Sequence, residues 1–257
     1  MENRNNVTEF DLLGLTENPK MQKIIFVVFF VTYIICLVGK VLTVVTMTAS
    51  LLLGSPMYFS LVDLSFIDAC YTSINNPKPI IDSFREKIIT TFNACITQVF
   101  GKHFIGGSDA SLLTVMAYDC YVVICKSLHY TTIMNRQVCG LLMGVVWVGG
   151  FLHAAIQILF IIPLPFCGPN VIDYFMCDMN PLLNHGCTDT HTLGLFVAAN
   201  SSFICQLNFL LLMVSYVVIL HSLRDDSLEA RHKALSTSIS HITVVVIFLV
   251  PCIFVDM

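Results

Sequence analysis

Six apolar runs, near residues 24–48, 57–80, 96–125, 138–162, 193–220 and 235–255, decide what this 257-residue chain can fold into. Each reaches the roughly 20 residues that a helix needs to cross about 30 Å of hydrocarbon. The runs are continuous rather than alternating, so a transmembrane barrel does not fit them. Hydrocarbon leaves every backbone N–H and C=O to bond within its own segment, which makes each run a helix. Charged residues are only 12% of the chain and hydrophobic ones 56%. A soluble domain carries about 25% charged residues and about 45–50% apolar ones. The shortage of polar surface extends along the whole length, so the expected fold class is all-α, a polytopic transmembrane helix bundle. The net charge of −4 argues against a nucleic-acid partner. No low-complexity tract or internal repeat stands out.

Residues 1–23 read as a polar N-terminal segment and residues 24–257 as the bundle. The first run is too long for a cleaved signal peptide, follows the mixed-charge stretch "MENRNNVTEFDLLGLTENPKMQK", and lacks a small-residue cleavage site. Linkers are short except at 163–192. That loop has Asp173, Asp178 and Asp189, no lysine or arginine, and three cysteines, Cys167, Cys177 and Cys187. Loops without basic residues tend to lie outside the cytoplasm. The loop cysteines, with Cys95 at the head of the third run, suit an oxidising compartment. Disulfides, free thiols and a metal site are all open to them; compartment favours disulfides, and the spacing is not CxxC. Cys36, Cys70, Cys125 and Cys205 sit in apolar runs as small core packers. Asn6-Val7-Thr8 is a glycosylation sequon, consistent with an N-terminus outside. The basic residues do not decide orientation. Lys126, Arg136, Arg224, Arg231 and Lys233 fall on the inner side, but Arg4, Lys20, Lys23, Arg85 and Lys87 fall on the outer. The cysteine-rich loop decides it. The expected location is the plasma membrane, multi-pass, with the N-terminus extracellular.

The stretch "MAYDCYVVICKSLHY", Met116 to Tyr130, resembles the "MAYDRYVAICKPLHY" signature of the olfactory receptors, a branch of the rhodopsin-like G-protein-coupled receptors. Four further stretches are similar to the family's motifs: "PMYFSLVDLSFIDACYTS" at 56–73, "FCGPNVIDYFMCD" at 166–178, "SYVVIL" at 215–220 and "KALSTSISH" at 233–241. The resemblance implies a receptor bundle with an odorant pocket in its outer half and a heterotrimeric G protein of the cAMP-raising type on its inner side. Small odorants, the G protein and membrane lipid are the implied partners. It implies no enzyme activity, no cofactor and no metal. It also implies disulfides Cys95–Cys177 and Cys167–Cys187.

Three departures from the family pattern follow. Where the family has Arg, this chain has Cys120. The resemblance gives that arginine a resting pair with the preceding acid, Asp119, beside Tyr121, and an active-state contact with the G protein and with the tyrosine matched by Tyr216. A thiol offers no positive charge and only a weak hydrogen bond. The alternatives are loss of function and a tolerated substitution at a solvated helix end. Second, Lys40 in "CLVGK" replaces the family's helix-one asparagine. A lysine inside a membrane helix costs about 2.5–3.5 kcal/mol on insertion scales. By resemblance its neighbour is Asp68 of "LSFIDAC", which makes an ion pair possible; Asp63 is a further candidate, and snorkelling to the inner interface competes. Third, the chain ends at "VPCIFVDM", so six of the family's seven helices are expected, with loss of signalling as a consequence. A non-signalling remnant of a degraded receptor gene is therefore an alternative.

The residues matching the family's odorant contacts are Lys102, His103, Gly106, Gly107, Asn200, Ile204, Leu249 and Cys252. Residues 99, 102, 103, 106 and 110 share a helical face. Gly106-Gly107 leaves space for a ligand or permits close helix packing. Lys102 attracts an acidic odorant or snorkels to the outer headgroups, and His103 reads as an interior hydrogen-bonder. A small transporter is a second alternative, given Lys40, Asp63 and Asp68; paired repeats and broken helices are not evident. A membrane enzyme lacks a catalytic constellation: His153, His221 and His241 are scattered and no HExxH occurs.

Overall fold

The computed structural model describes residues 9–12, 19–49, 56–75, 88–126, 129–165, 171–172, 177–184, 186, 191–222 and 243. In chain order the elements are β1 (Glu9–Leu12), α1 (Pro19–Ala49), α2 (Pro56–Asn75), β2 (Ile88–Thr91), α3 (Phe92–Cys125), α4 (Tyr130–Ile133), α5 (Arg136–Ile161), β3 (Val171–Ile172), α6 (Met179–Asn184) and α7 (His191–Ser222). The first five apolar runs are thus α1, α2, α3, α5 and α7. The sixth lies outside the described residues apart from position 243.

The helices begin ahead of the apolar runs because their first turns are polar or proline. Pro19 and Pro56 open α1 and α2, where a missing N–H costs nothing. The Thr91 hydroxyl accepts from Ala94 N–H at 3.4 Å and caps α3. Asn135 Oδ1 accepts from Val138 N–H at 2.9 Å and caps α5. Each cap satisfies an amide that the first helical turn cannot. Four helices, α1, α3, α5 and α7, are long and apolar enough to cross a membrane. The 20-residue α2, which carries Asp63 and Asp68, is not among them. Its span rests on packing beside α1 and α3, not on hydropathy.

α3 is the central helix and touches α2, α5 and α7; α1 touches chiefly α2. Accordingly α1 turns Ile24, Val28, Ile35 and Leu42 outward, as lipid requires. Its threonines do not leave hydroxyls stranded there: Thr32, Thr43, Thr46 and Thr48 each donate to the carbonyl four residues back.

α3 and α5 approach each other closely. A Cβ built on Gly150 would stand 2.7 Å from Phe104 O and 2.9 Å from Ser108 N, both backbone atoms. One built on Gly107 would meet His153 Cδ2 at 3.1 Å and Gly150 Cα at 3.5 Å. Small residues let two backbones meet where lipid supplies no hydrophobic drive. Beside this contact, Phe100, Phe104, Trp147 and Phe151 pack in edge-on and tilted pairs 5.6–6.4 Å apart. Side-chain hydrogen bonds tie α7 to the centre: Thr114 Oγ1 donates to Asn208 Oδ1 at 2.9 Å, and Gln157 Nε2 donates to Ser201 Oγ at 2.8 Å.

Among the described residues, one charge pair crosses between helices inside the bundle. Lys40 Nζ of α1 donates to Asp68 Oδ2 of α2. Asp63 does not take part. Asp109 of α3, 8% exposed, lies in the field of both Lys40 and Asp68. Its Oδ1 has no hydrogen-bond partner among the described residues.

A feature that the apolar runs did not announce closes one end of the bundle. β1 pairs antiparallel with β2, Glu9 opposite Thr91 through Leu12 opposite Ile88, and parallel with β3, Asp11 opposite Val171. The three-stranded sheet, in order β2-β1-β3, gathers the N-terminal segment, the entry to α3 and the long loop.

Two outcomes are expected. Gly150→Ala drives a methyl into the α3 backbone, which costs about 1–3 kcal/mol of overpacking, whereas Gly149→Ala enters open space. Thermal unfolding in detergent should show the first variant destabilised and the second unchanged. Among the charges, Lys40→Asn should be tolerated, since the asparagine amide can donate to the Asp68 carboxyl. Asp68→Asn should lower membrane yield more, because it strands the Lys40 ammonium at a cost of about 2.5–3.5 kcal/mol. Equal yields for the two variants would place the lysine head in the interface instead.

Candidate functional site

Two groups of side chains stand at opposite ends of α3. At the end marked by the sheet, Cys95 of α3 is disulfide-bonded to Cys177 of the long loop, with Cα atoms 5.3 Å apart. Both are fully buried, in a cluster with Val99, Ile158, Ile161, Leu182 and Val197. The bond closes a separation of 82 residues, which removes chain entropy from the unfolded state. It also fixes the next residue, Asp178, over α3. Lys102 Nζ donates to Asp178 Oδ2 at 2.6 Å. The other oxygen, Oδ1, accepts from Met179 N–H at 2.8 Å at the start of α6. Both ions are about three-quarters shielded. Lys102 is therefore engaged by a carboxylate of the chain itself, a partner that the sequence did not point to.

His103, one residue on, faces His153 of α5, with ring centroids 5.7 Å apart in an edge-to-face arrangement. His153 Nδ1 lies 3.3 Å from Asn200 Nδ2 of α7. His103 Nε2 is buried with no hydrogen-bond partner among the described residues. So is Gln157 Oε1, although Gln157 Nε2 is bonded. The two glycines of α3 separate in role. Gly107 is packed under His153, so it serves helix contact. A Cβ built on Gly106 meets no atom within 4 Å among the described residues. Ile204 and Asn200 are half-buried on α7. The structure thus brings together Lys102, His103, Gly106 and Asn200, with His153 and Asp178 added. Those last two were passed over as ligand-site residues, since their partners are remote in sequence. Leu249 and Cys252 lie outside the described residues, as do Asn6, Cys167 and Cys187.

At the other end of α3, Asp119 is 2% exposed. Its Oδ1 accepts from the Tyr130 hydroxyl of α4 at 3.1 Å. Cys120 points elsewhere: its half-buried thiol packs with Leu113, Ala117, Leu212, Tyr216 and Ile219, alongside Tyr121. Cys120 and Tyr216 are thus neighbours in an apolar cluster that joins α3 to α7, while the acid turns toward the loop helix. Tyr130 was not singled out in the sequence, although it closes the signature stretch. No basic side chain is paired with Asp119 among the described residues.

Residues 29–257 match the sequence profile described as "Olfactory receptor". Human olfactory receptor 4A47 is 57% identical over 254 residues, which are 99% of this chain and 82% of that receptor. Human olfactory receptor 4A5 is 55% identical over 255 residues, 99% of this chain and 81% of the relative. Human olfactory receptor 4S2 is 50% identical over 257 residues, covering 100% and 83%. Profile, relatives and a bundle of apolar helices agree: the chain belongs to the olfactory receptor family of G-protein-coupled receptors, multi-pass membrane proteins that are not enzymes.

Proposed function

We propose that this receptor takes small odorants between α3, α5 and α7 at the end closed by the Cys95–Cys177 bond, and that this end faces outward. Family membership supports an odorant as ligand. The observation that carries the location is the meeting of His103, His153 and Asn200, from α3, α5 and α7, beneath a loop held by a disulfide. Small apolar ligands bind in concave, mostly hydrophobic sites with a few polar groups that orient them. The disulfide supports an oxidising exterior at the same end, with the N-terminus outside and the protein at the plasma membrane. On this reading Asn6 is glycosylated and Cys167 pairs with Cys187.

The opposite end then meets a G protein of the cAMP-raising type, and Cys120 weakens that coupling. The thiol lies in an apolar cluster with Tyr216, and Asp119 is held by Tyr130 instead of by a cation. A ligand shifts a two-state equilibrium only by its differential affinity for the states. A contact missing at the inner end is not replaced from the outer one. A transporter reading gains no support: the intramembrane ions Lys40 and Asp68 pair with each other.

Cyclic AMP production across an odorant panel, normalised to surface expression, tests this. The unmodified receptor should respond weakly or not at all. Cys120→Arg should raise the response about tenfold or more, since a charged hydrogen bond contributes about 1.5–3 kcal/mol. A strong odorant-dependent signal from the unmodified chain, unchanged by Cys120→Arg, would make the thiol a working substitute for the arginine.

A further inference from the structure

The long loop is tied to the head of α3 at two places, and the two ties differ in kind. One is permanent. Cys177 is bonded to Cys95, and both are fully buried. The residues that follow are held as firmly. Asp178 accepts from Lys102 at 2.6 Å, and Leu182 and Leu183 of α6 are buried in one cluster with Val99, Ile161 and Val197. A covalent bond, an ion pair and an apolar contact thus fix the α6 end of the loop against α3, α5 and α7.

The other tie is a strand pairing. β3, Val171–Ile172, precedes Cys177 in the loop. It stands at an edge of the sheet, and its neighbour there is β1. The pairing is parallel and two residues long, Asp11 opposite Val171 and Leu12 opposite Ile172. On its other side β1 makes four antiparallel pairs with β2. β2 leads straight into α3, since Thr91 ends the strand and caps the helix. The N-terminal segment therefore stands between the loop and α3 as the middle strand. Parallel pairing is the weaker kind per residue, and a short strand pair is marginal in water by itself. A fold opens first where the fewest contacts hold it. Within this sheet that place is the joint between β1 and β3.

We infer that the N-terminal strand is a latch: β1 holds the β3 end of the long loop against the head of α3 and releases it, while the α6 end stays fixed. The disulfide makes the motion reversible. With Cys177 anchored, β3 returns to the same partner, because re-pairing across a short closed stretch of chain costs little entropy. The cap at this end of α3 opens on one side and recloses without any change at the Cys95–Cys177 bond. The device needs no ligand, so it stands apart from the odorant-site reading above.

Hydrogen exchange of the receptor in lipid nanodiscs, resolved to single amides by fragmentation, tests the latch. The β3 amide that donates to β1 should exchange about tenfold or more faster than the α6 amides and the β2 amides that donate to β1. Leu12→Cys with Ile172→Cys then places two thiols at register partners. Paired strands lie about 4.7–4.9 Å apart, inside the disulfide range of about 4.4–6.8 Å between Cα atoms. Once oxidised, the new bond should slow the β3 amide to the rate of β2 and leave α6 unchanged. Reduction mild enough to spare Cys95–Cys177, as checked by peptide mapping, should restore the fast exchange. Equal exchange of β3, β2 and α6 in the unmodified receptor would overturn the inference. So would a cross-link that slows α6 together with β3, since the cap would then move as one body. Failure of the two new thiols to join under oxidising conditions would overturn it as well, by denying the pairing on which the latch rests.

Discussion

The close contact of α3 with α5 is the constraint on which the rest of the bundle depends. Between two helices in lipid there is no gain from hiding apolar surface, since the surroundings are as apolar as leucine. Association then rests on packing, and packing rests on how near the backbones come. Gly150 against Phe104 O and Ser108 N sets that distance. Once it is set, His153 is laid over Gly107, which places its ring against His103 and its Nδ1 against Asn200. The polar face formed by His103, His153 and Asn200 is therefore a by-product of a steric contact. It is fixed by a residue with no side chain.

Polar groups within this bundle are handled by local pairing. Lys40 meets Asp68, Lys102 meets Asp178, Thr114 meets Asn208, and Gln157 meets Ser201. Each pair links two different segments, and each would be costly to split in a medium that cannot hydrogen-bond. The exceptions, Asp109 Oδ1, His103 Nε2, Gln157 Oε1 and both polar atoms of Gln98, all lie on α3 or α5. Among the described residues, incomplete satisfaction is thus concentrated on the helices around which the others pack.

The helices were legible because hydropathy is a local property. Their ends were less so: Pro19, Pro56, Thr91 and Asn135 are polar or turn-forming residues that an apolar criterion rejects and a capping criterion accepts. The sheet was not legible. Strands of four and two residues carry no periodicity, and their pairing joins residue 11 to residue 171. The same limit explains the site. Lys102 looked unpaired because Asp178 is 76 residues away. Gly106 and Gly107 looked equivalent because the difference between them lies entirely on α5. Asp109 is the residue that the sequence did offer and that went unused, since an acid in an apolar run is itself a signal.

At the Asp119 end of α3 the same logic of pairing bears on Cys120. Successive helical residues point about 100° apart, so position 120 cannot follow Asp119 toward the loop helix unless its side chain is long. An arginine is long enough to reach back from that face to the acid; a cysteine ends within the apolar cluster of Leu113, Ala117, Leu212 and Tyr216. The thiol suits that cluster as a small apolar side chain does, and the Tyr130 hydroxyl serves the acid. Both residues are thus accommodated without a cation. Asp119 and Cys120 thus have separate partners, the acid on the loop helix and the thiol in the apolar cluster that joins α3 to α7.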